Sequence, residues 1–214
     1  MGTVKKRTYA MANRTRQAAE TRRRIVEAAA RLFLRQGYAA TSISAIAAEA
    51  GVAVQTVYAS LTTKRDILEA VIQAGVRGDE DEVAVTAHAR WLQMQAEADP
   101  RRKLSMFARI HREICEREAE LFGILETAAA VDPDLAPLLH DKERFRYQDQ
   151  TRVVRSLRRQ GQLRAGGSAR NASDSIWALA SERVYLALVK ERGWSAKQFE
   201  KWLTDQLEAA LLEA

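Results

Sequence analysis

TSISAIAAEAGVAVQTVYASLTTK, residues 41–64, holds two short apolar-periodic segments on either side of Gly51. Ile46, Ala47 and Ala50 share one face of the first segment, where small alanines permit a close helix crossing. Gly51 takes the positive φ of a sharp turn at no steric cost. Val52, Val57 and Leu61 anchor the second segment to a core, which leaves Val54, Gln55, Thr56, Tyr58 and Ser60 towards solvent or towards a groove. Two short helices joined by a glycine turn form the smallest unit that enters a DNA major groove.

Upstream, from Thr21, the residues Ile25, Val26, Ala29, Leu32 and Phe33 recur at three and four, the mark of an amphipathic helix. Gly37 stands where a left-handed C-terminal cap belongs, with Tyr38 as the apolar residue that packs back. Thr41 and Ser42 offer N-cap oxygens. Thr63 with Asp66 makes a capping-box variant that starts a helix carrying Ile67, Leu68, Val71 and Ile72. Downstream, the acidic run Asp79–Glu82 reads as a solvated loop or a helix start, and every long segment after it has a helical period. Asp99-Pro100 and Asp132-Pro133 each set a capping oxygen before a first-turn proline. Gly161, Gly166, Gly167 and Ser168 mark a loop, and Asn171 with Asp174, and Ser195 with Gln198, start the last two helices, 171–191 and 196–212. The fold class is all-α, with residues 1–20 a basic flexible arm, 21–74 a three-helix helix-turn-helix DNA-binding domain, and 75–214 a helical ligand-binding and dimerisation domain.

Charge is divided unevenly along the chain. Residues 1–65 hold 12 Lys/Arg and 3 Asp/Glu, a charge of +9, whereas residues 66–214 hold 22 and 25, a charge of −3. A basic first module points to a polyanion, and nucleic acid outweighs a merely solvating tail because several of the cations fall within a helix. One of Arg22, Arg23 and Arg24 is expected near the DNA backbone, and Lys5, Lys6 and Arg7 are either a groove-seeking arm or a plain tail. The single cysteine, Cys115, has no partner for an internal disulfide, and no apolar run suits export or a bilayer span, so a cytoplasmic protein with no membrane partner is expected. A helical enzyme is the competing class. The sequence carries no Gly-rich phosphate loop, no H-E-x-x-H, no Cys pair for zinc and no nucleophile elbow, and His88, His111 and His140 are scattered. No catalytic residue, metal or cofactor is assigned.

Residues 21–68 resemble the DNA-binding domain of the TetR (tetracycline-repressor) family. The matching features are the first helix ending in Gly37-Tyr38, Thr41-Ser42-Ile43, Ile46-Ala47, Ala50-Gly51-Val52, Thr56-Val57-Tyr58 and Lys64. The resemblance implies a transcriptional regulator, a repressor by default, that a small ligand releases from double-stranded operator DNA. It implies that Thr41, Ser42 and Ser44 touch the DNA backbone or a groove edge. Val54, Gln55, Thr56, Tyr58 and Ser60 then lie on the recognition helix, and Lys64 on a phosphate. Ala53 departs from the family's usual Ser or Thr cap, Val54 from a common Lys, Ser60 from His or Tyr, and Leu61 from Phe. Gly161-Gln162-Leu163-Arg164 is similar to the loop that leads into the family's dimerisation helices.

In residues 75–214, Met94, Met106, Phe107, Ile110 and Phe122 recur at helical spacing. Singly each reads as core; together they suit the wall of a mainly apolar ligand pocket, with His111 or Arg109 as polar anchor. Trp177, Val184 and Leu188, with Phe199, Leu203, Leu207 and Leu211, belong to apolar bands wider than a monomer's core requires. A homodimer closed by a four-helix bundle is therefore expected. A ligand-independent DNA-binding protein is the alternative, and its operator complex would ignore small molecules.

Overall fold

The computed structural model describes residues 2–78, 84–164 and 167–213, with side chains from Asn13 onward. The acidic run Asp79–Glu82, Gly166 and the side chains of Lys5, Lys6 and Arg7 lie outside the described residues. Among the described residues every regular element is helical, and no helix is long and apolar enough to cross a membrane. The chain separates into two compact units, Met1–Ala74 and Gly75–Ala214.

In the first unit, α1 (Gly2–Ala40) starts well before Thr21: the backbone of residues 2–20, expected as a flexible arm, is helical. Ala10, Ala12, Arg14, Arg16, Gln17, Ala18 and Ala19 are strong helix formers, with no Gly or Pro among residues 3–20. Ile25, Ala29, Leu32 and Phe33 bury the inner face of α1. At Gly37 the path breaks with φ 77° and ψ 171°, a positive φ as expected but with extended ψ in place of a left-handed cap. The Tyr38 ring returns to 5.7 Å from that of Phe33. Then come α2 (Ile43–Ala50), α3 (Val54–Ser60) and α4 (Lys64–Arg77). Gly51 adopts φ 64° and ψ 41°, and its N–H donates to the carbonyls of Ala47 and Ala48. Thr63 and Asp66 cap reciprocally, Thr63 N–H to Asp66 Oδ2 at 2.9 Å and Asp66 N–H to Thr63 Oγ1 at 3.1 Å.

The second unit contains α5 (Ala89–Ala96), α6 (Pro100–Ala129), α7 (Ala136–Arg159), α8 (Ala169–Leu179), α9 (Glu182–Tyr185) and α10 (Ala196–Leu211). Asp99 caps α6, and Asp132 caps the 3₁₀ turn Pro133–Leu135 that precedes α7. The long α6 is the axis of the core, with α10 along it and α8 against α7 and α10. At Gly75, the first residue of the second unit, a Cβ would stand 2.6 Å from the Cβ of Glu118 on α6, so only glycine fits that approach. The helix expected over 171–191 is not continuous. It starts at Ala169, where Ser168 Oγ accepts from the N–H groups of Arg170 and Asn171, both at 3.2 Å. It ends at Leu179, Ala180 leaves the helical path (φ −93°, ψ 66°), and Ser181 caps α9. Residues Leu186–Glu191 then follow as a π-helix. The Ser195–Gln198 capping box of α10 forms as the spacing predicts.

Candidate functional site

The α2–α3 surface is assembled from its turn outward. Ser42 Oγ accepts from Ala45 N–H at 3.1 Å as the α2 cap and lies 2.9 Å from Ser44 Oγ, and both serines are exposed. Thr41 is only 1% exposed; its Oγ1 donates to Gly37 O at 2.8 Å and accepts from Gln36 Nε2 at 3.3 Å. It locks the α1–α2 corner instead of facing a groove, which corrects its placement among DNA-contacting residues. On α3, Gln55 and Tyr58 are exposed, Val54, Thr56 and Ser60 are half-buried, and Val57 is the buried anchor. No side chain of α3 is charged, so this face offers amide, hydroxyl and methyl groups. Ala53 supplies no side-chain cap, as its identity predicts.

Support for α3 comes from α1. Arg24 Nη2 donates to Ala50 O at 2.5 Å and to Gly51 O at 3.3 Å, and Arg22 Nη1 donates to Ser60 O at 3.0 Å. These carbonyls lie at the C-terminal ends of α2 and α3, where orphan acceptors and the helix dipole both favour a cation. A hydrogen bond to a charged group contributes about 1.5–3 kcal/mol, against about 1 kcal/mol lost with the missing cap, so the Arg24 hydrogen bonds offset that loss. Arg23 turns away and pairs with Glu20 and Glu27 at 2.8 and 2.6 Å. Two of the three arginines are thus scaffold, a role that their consecutive positions did not signal. Lys64 Nζ donates to Tyr38 O at 3.0 Å and Thr41 O at 3.1 Å and sits 4.2 Å from the Tyr38 ring centroid, which leaves at most one N–H for a phosphate.

The second unit buries a charged cluster. His111, Cys115, Glu118 and Phe122 form one stripe of α6, and Lys142, Arg146 and Gln150 form one stripe of α7. Lys142 Nζ donates to Glu118 Oε1 at 2.9 Å and to Glu182 Oε1 at 3.2 Å. Arg146 Nη1 donates to the carbonyls of Trp177 at 3.0 Å and Ala180 at 2.8 Å, and Gln150 Nε2 reaches Ala180 O at 2.8 Å. The carbonyls freed where α8 ends are therefore taken up by α7. Burial drives the Glu118 carboxyl up, to about 8, against the attraction of Lys142. Burial pushes Glu182 the same way, but Lys142 and Arg146 outweigh it and hold that carboxyl low. Burial also takes His111 down to about 4 and raises the Cys115 thiol, whose Sγ lies 3.3 Å from His111 Nε2. Arg146 Nε and Nη2 and Gln150 Oε1 are buried without a hydrogen-bond partner among the described residues. Glu182 Oε2 stands 3.4 Å from Arg146 Nε as an ion pair without hydrogen-bond geometry. An orphaned buried donor costs about 1–3 kcal/mol. None of Glu118, Lys142, Arg146 and Glu182 stood out in the sequence, where charged residues at helical spacing resemble a solvated face; the usable signal was Glu118 interrupting the stripe between Cys115 and Phe122.

Met94, Phe107, Ile110 and His111 come together, with Trp91, and Met106 packs on them half-buried. The Phe107 ring lies 6.2 Å from that of His111 and 6.4 Å from that of Trp91. Phe122 lies apart from this group, with Lys142 Nζ 5.4 Å and Arg183 Cζ 5.5 Å from its ring centroid. A cavity of about 330 Å³ opens between Pro100, Arg101, Gly161, Gln162, Leu163 and Leu212, and none of Met94, Met106, Phe107, Ile110, His111 and Phe122 lines it. Of the expected dimer residues, Trp177, Val184 and Leu188 are half-buried. Phe199, Leu203, Leu207 and Leu211 are 0% exposed within the single chain, because α10 spends its apolar band on α6. They have no surface left for a partner, which corrects that part of the expected interface.

Residues 25–71 match the sequence model of the bacterial regulatory proteins of the tetR family. No curated protein matches the chain by sequence. Among solved structures, a transcriptional regulator from Saccharomonospora viridis in complex with choline is 25% identical, with 92% of this chain and 100% of that one covered and a TM-score of 0.70. A TetR-family regulator from Mesorhizobium loti is 21% identical over 90% of this chain and 95% of its own, with a TM-score of 0.69. NalD of Pseudomonas aeruginosa, the secondary repressor of the MexAB-OprM multidrug efflux pump, is 20% identical over 92% and 98%, also with a TM-score of 0.69. The two lower identities speak for the fold alone. Residues 25–71 thus match the DNA-binding domain of the tetR family of bacterial regulatory proteins, and the chain shares its fold with solved transcriptional regulators.

Proposed function

We propose that the chain is a cytoplasmic homodimeric repressor that binds a near-palindromic operator and leaves it when a small molecule binds residues 75–214. The observation that carries this reading is the exposed, uncharged face of α3, aimed by Arg22 and Arg24 within the +9 N-terminal module. Ser42, Ser44, Val54, Gln55, Thr56, Tyr58 and Ser60 supply the contacts, with Lys64 contributing at most one N–H to a phosphate. Repression and ligand response are supported by the repressor NalD and by the choline-bound S. viridis regulator. The ligand acts by population shift, favouring a state whose two α3 helices no longer match successive major grooves.

For the dimer, the outer faces of α8 and α10 are the favoured surface. The half-buried Trp177 and the exposed Ala178, Ala209 and Ala210 lie on these two neighbouring helices, and small residues let backbones approach. Base reading is tested at Gln55, which pairs bidentately with adenine. Gln55→Ala should relax preference at one base pair per half-site at a cost of about 1–3 kcal/mol. An unchanged preference profile in competition binding refutes that assignment.

A further inference from the structure

We propose that Arg146 anchors the carboxylate of a small organic acid at the buried cluster of the second unit; this rests on the reading of that unit as ligand-sensing. The Nε and Nη2 atoms form one edge of the guanidinium, spaced to match the two oxygens of a carboxylate. Both are buried without a hydrogen-bond partner among the described residues, and the side chain is 8% exposed. The opposite corner is fixed, since Nη1 holds the carbonyls of Trp177 and Ala180. The Trp177 ring covers the group, 5.0 Å from Cζ. This edge is therefore held in place and desolvated, approached by Glu182 Oε2 without a completed hydrogen bond.

Charge favours an anion over a cation. Glu182 of α9 approaches this edge, Lys142 of α7 joins Glu118 of α6 to Glu182, and His111 and Cys115 of α6 interact electrostatically with Arg146. With Glu118 protonated, His111 neutral and Cys115 a thiol, two cations face one carboxylate. Glu182 Oε2 approaches Nε at 3.4 Å without completing a hydrogen bond, so a ligand carboxylate adds what Glu182 does not. The half-buried Trp177 ring, 5.0 Å from Arg146 Cζ, gives the hydrocarbon part an apolar surface. The cluster also lies where α8 breaks at Ala180 and just ahead of the π-helix Leu186–Glu191, and π segments recur at functional sites. An acid seated on Arg146 alters the grip of that residue on Trp177 O and Ala180 O, and so acts on α8.

Calorimetric titration of the full chain with benzoate and octanoate, against benzyl alcohol and benzylamine, tests the assignment. The carboxylates should bind at least tenfold more tightly than the alcohol or amine, and Arg146→Lys should weaken them at least tenfold. Affinity for benzoate should fall between pH 7 and 9 as Glu118 ionises, and Glu118→Gln should abolish that fall. The Glu118→Gln comparison decides the matter if Arg146→Lys does not fold. Benzylamine binding as tightly as benzoate, no carboxylate binding at millimolar concentration, or a pH profile unchanged by Glu118→Gln overturns the proposal. Benzoate binding as stated without any effect on operator affinity leaves the site standing and removes the sensing reading. Operator release by choline with no carboxylate bound does the reverse.

Discussion

Arg24 holds the turn that aims α3, with one nitrogen on the carbonyls of both Ala50 and Gly51. Arg24→Ala should lower the melting temperature and weaken operator binding equally across sequences, because it tilts the helix without removing a base contact; thermal denaturation with a panel of duplexes checks both. A change confined to one base pair would instead make Arg24 a reading residue. Deeper in the chain, Glu118 predicts a signature in pH. Unfolded, this carboxyl loses its proton near 4.5, whereas folded it keeps the proton to about 8, so stability falls as pH rises between those values. His111 has the opposite sign: its folded value is depressed to about 4 from 6.5, so stability rises with pH across that window. Between pH 6.5 and 8 Glu118 therefore acts without opposition from His111. Urea denaturation should show the wild type losing stability across this interval and Glu118→Gln losing much less; parallel curves contradict the assignment. The inward turn of Thr41 was not legible beforehand, because a threonine at a helix entry serves a corner or a groove equally well until its neighbours are known.

Among the elements, the helix-turn-helix was legible because its determinants are local. Gly51, the Ser42 cap and the Thr63–Asp66 box each act within a few residues, and the apolar period does the rest. The break after α8 was not legible, since Arg146 and Gln150 hold it from another helix. The α10 band shows a further limit: periodicity names the buried face but not the neighbour that covers it. Because Leu203 is fully buried in its own chain, Leu203→Ala should cost about 2–5 kcal/mol of folding stability. The loss should persist when protein concentration is raised a hundredfold in urea titrations. A loss that shrinks with concentration would return Leu203 to a subunit interface.

At the scale of the whole molecule, the two compact units match the charge division that the sequence carries, a basic N-terminal part and a mildly acidic remainder. Much of the N-terminal charge is spent internally, by Arg22, Arg23, Arg24, Arg31, Arg35 and Lys64. In the proposed reading, specificity comes from the neutral face of α3 and from two-fold symmetry. A two-fold dimer sets its recognition helices about 34–36 Å apart and so requires two inverted half-sites about one helical turn apart, or a multiple of it. Selection of bound duplexes from a random pool, followed by affinity measurement across a salt series, is the most direct test. The account predicts a near-palindromic consensus, a stoichiometry of whole dimers, and a slope of log affinity against log salt steeper than about −4. Equal affinity for random and selected duplexes at physiological salt, or a consensus without inverted symmetry bound by a monomer, would contradict it.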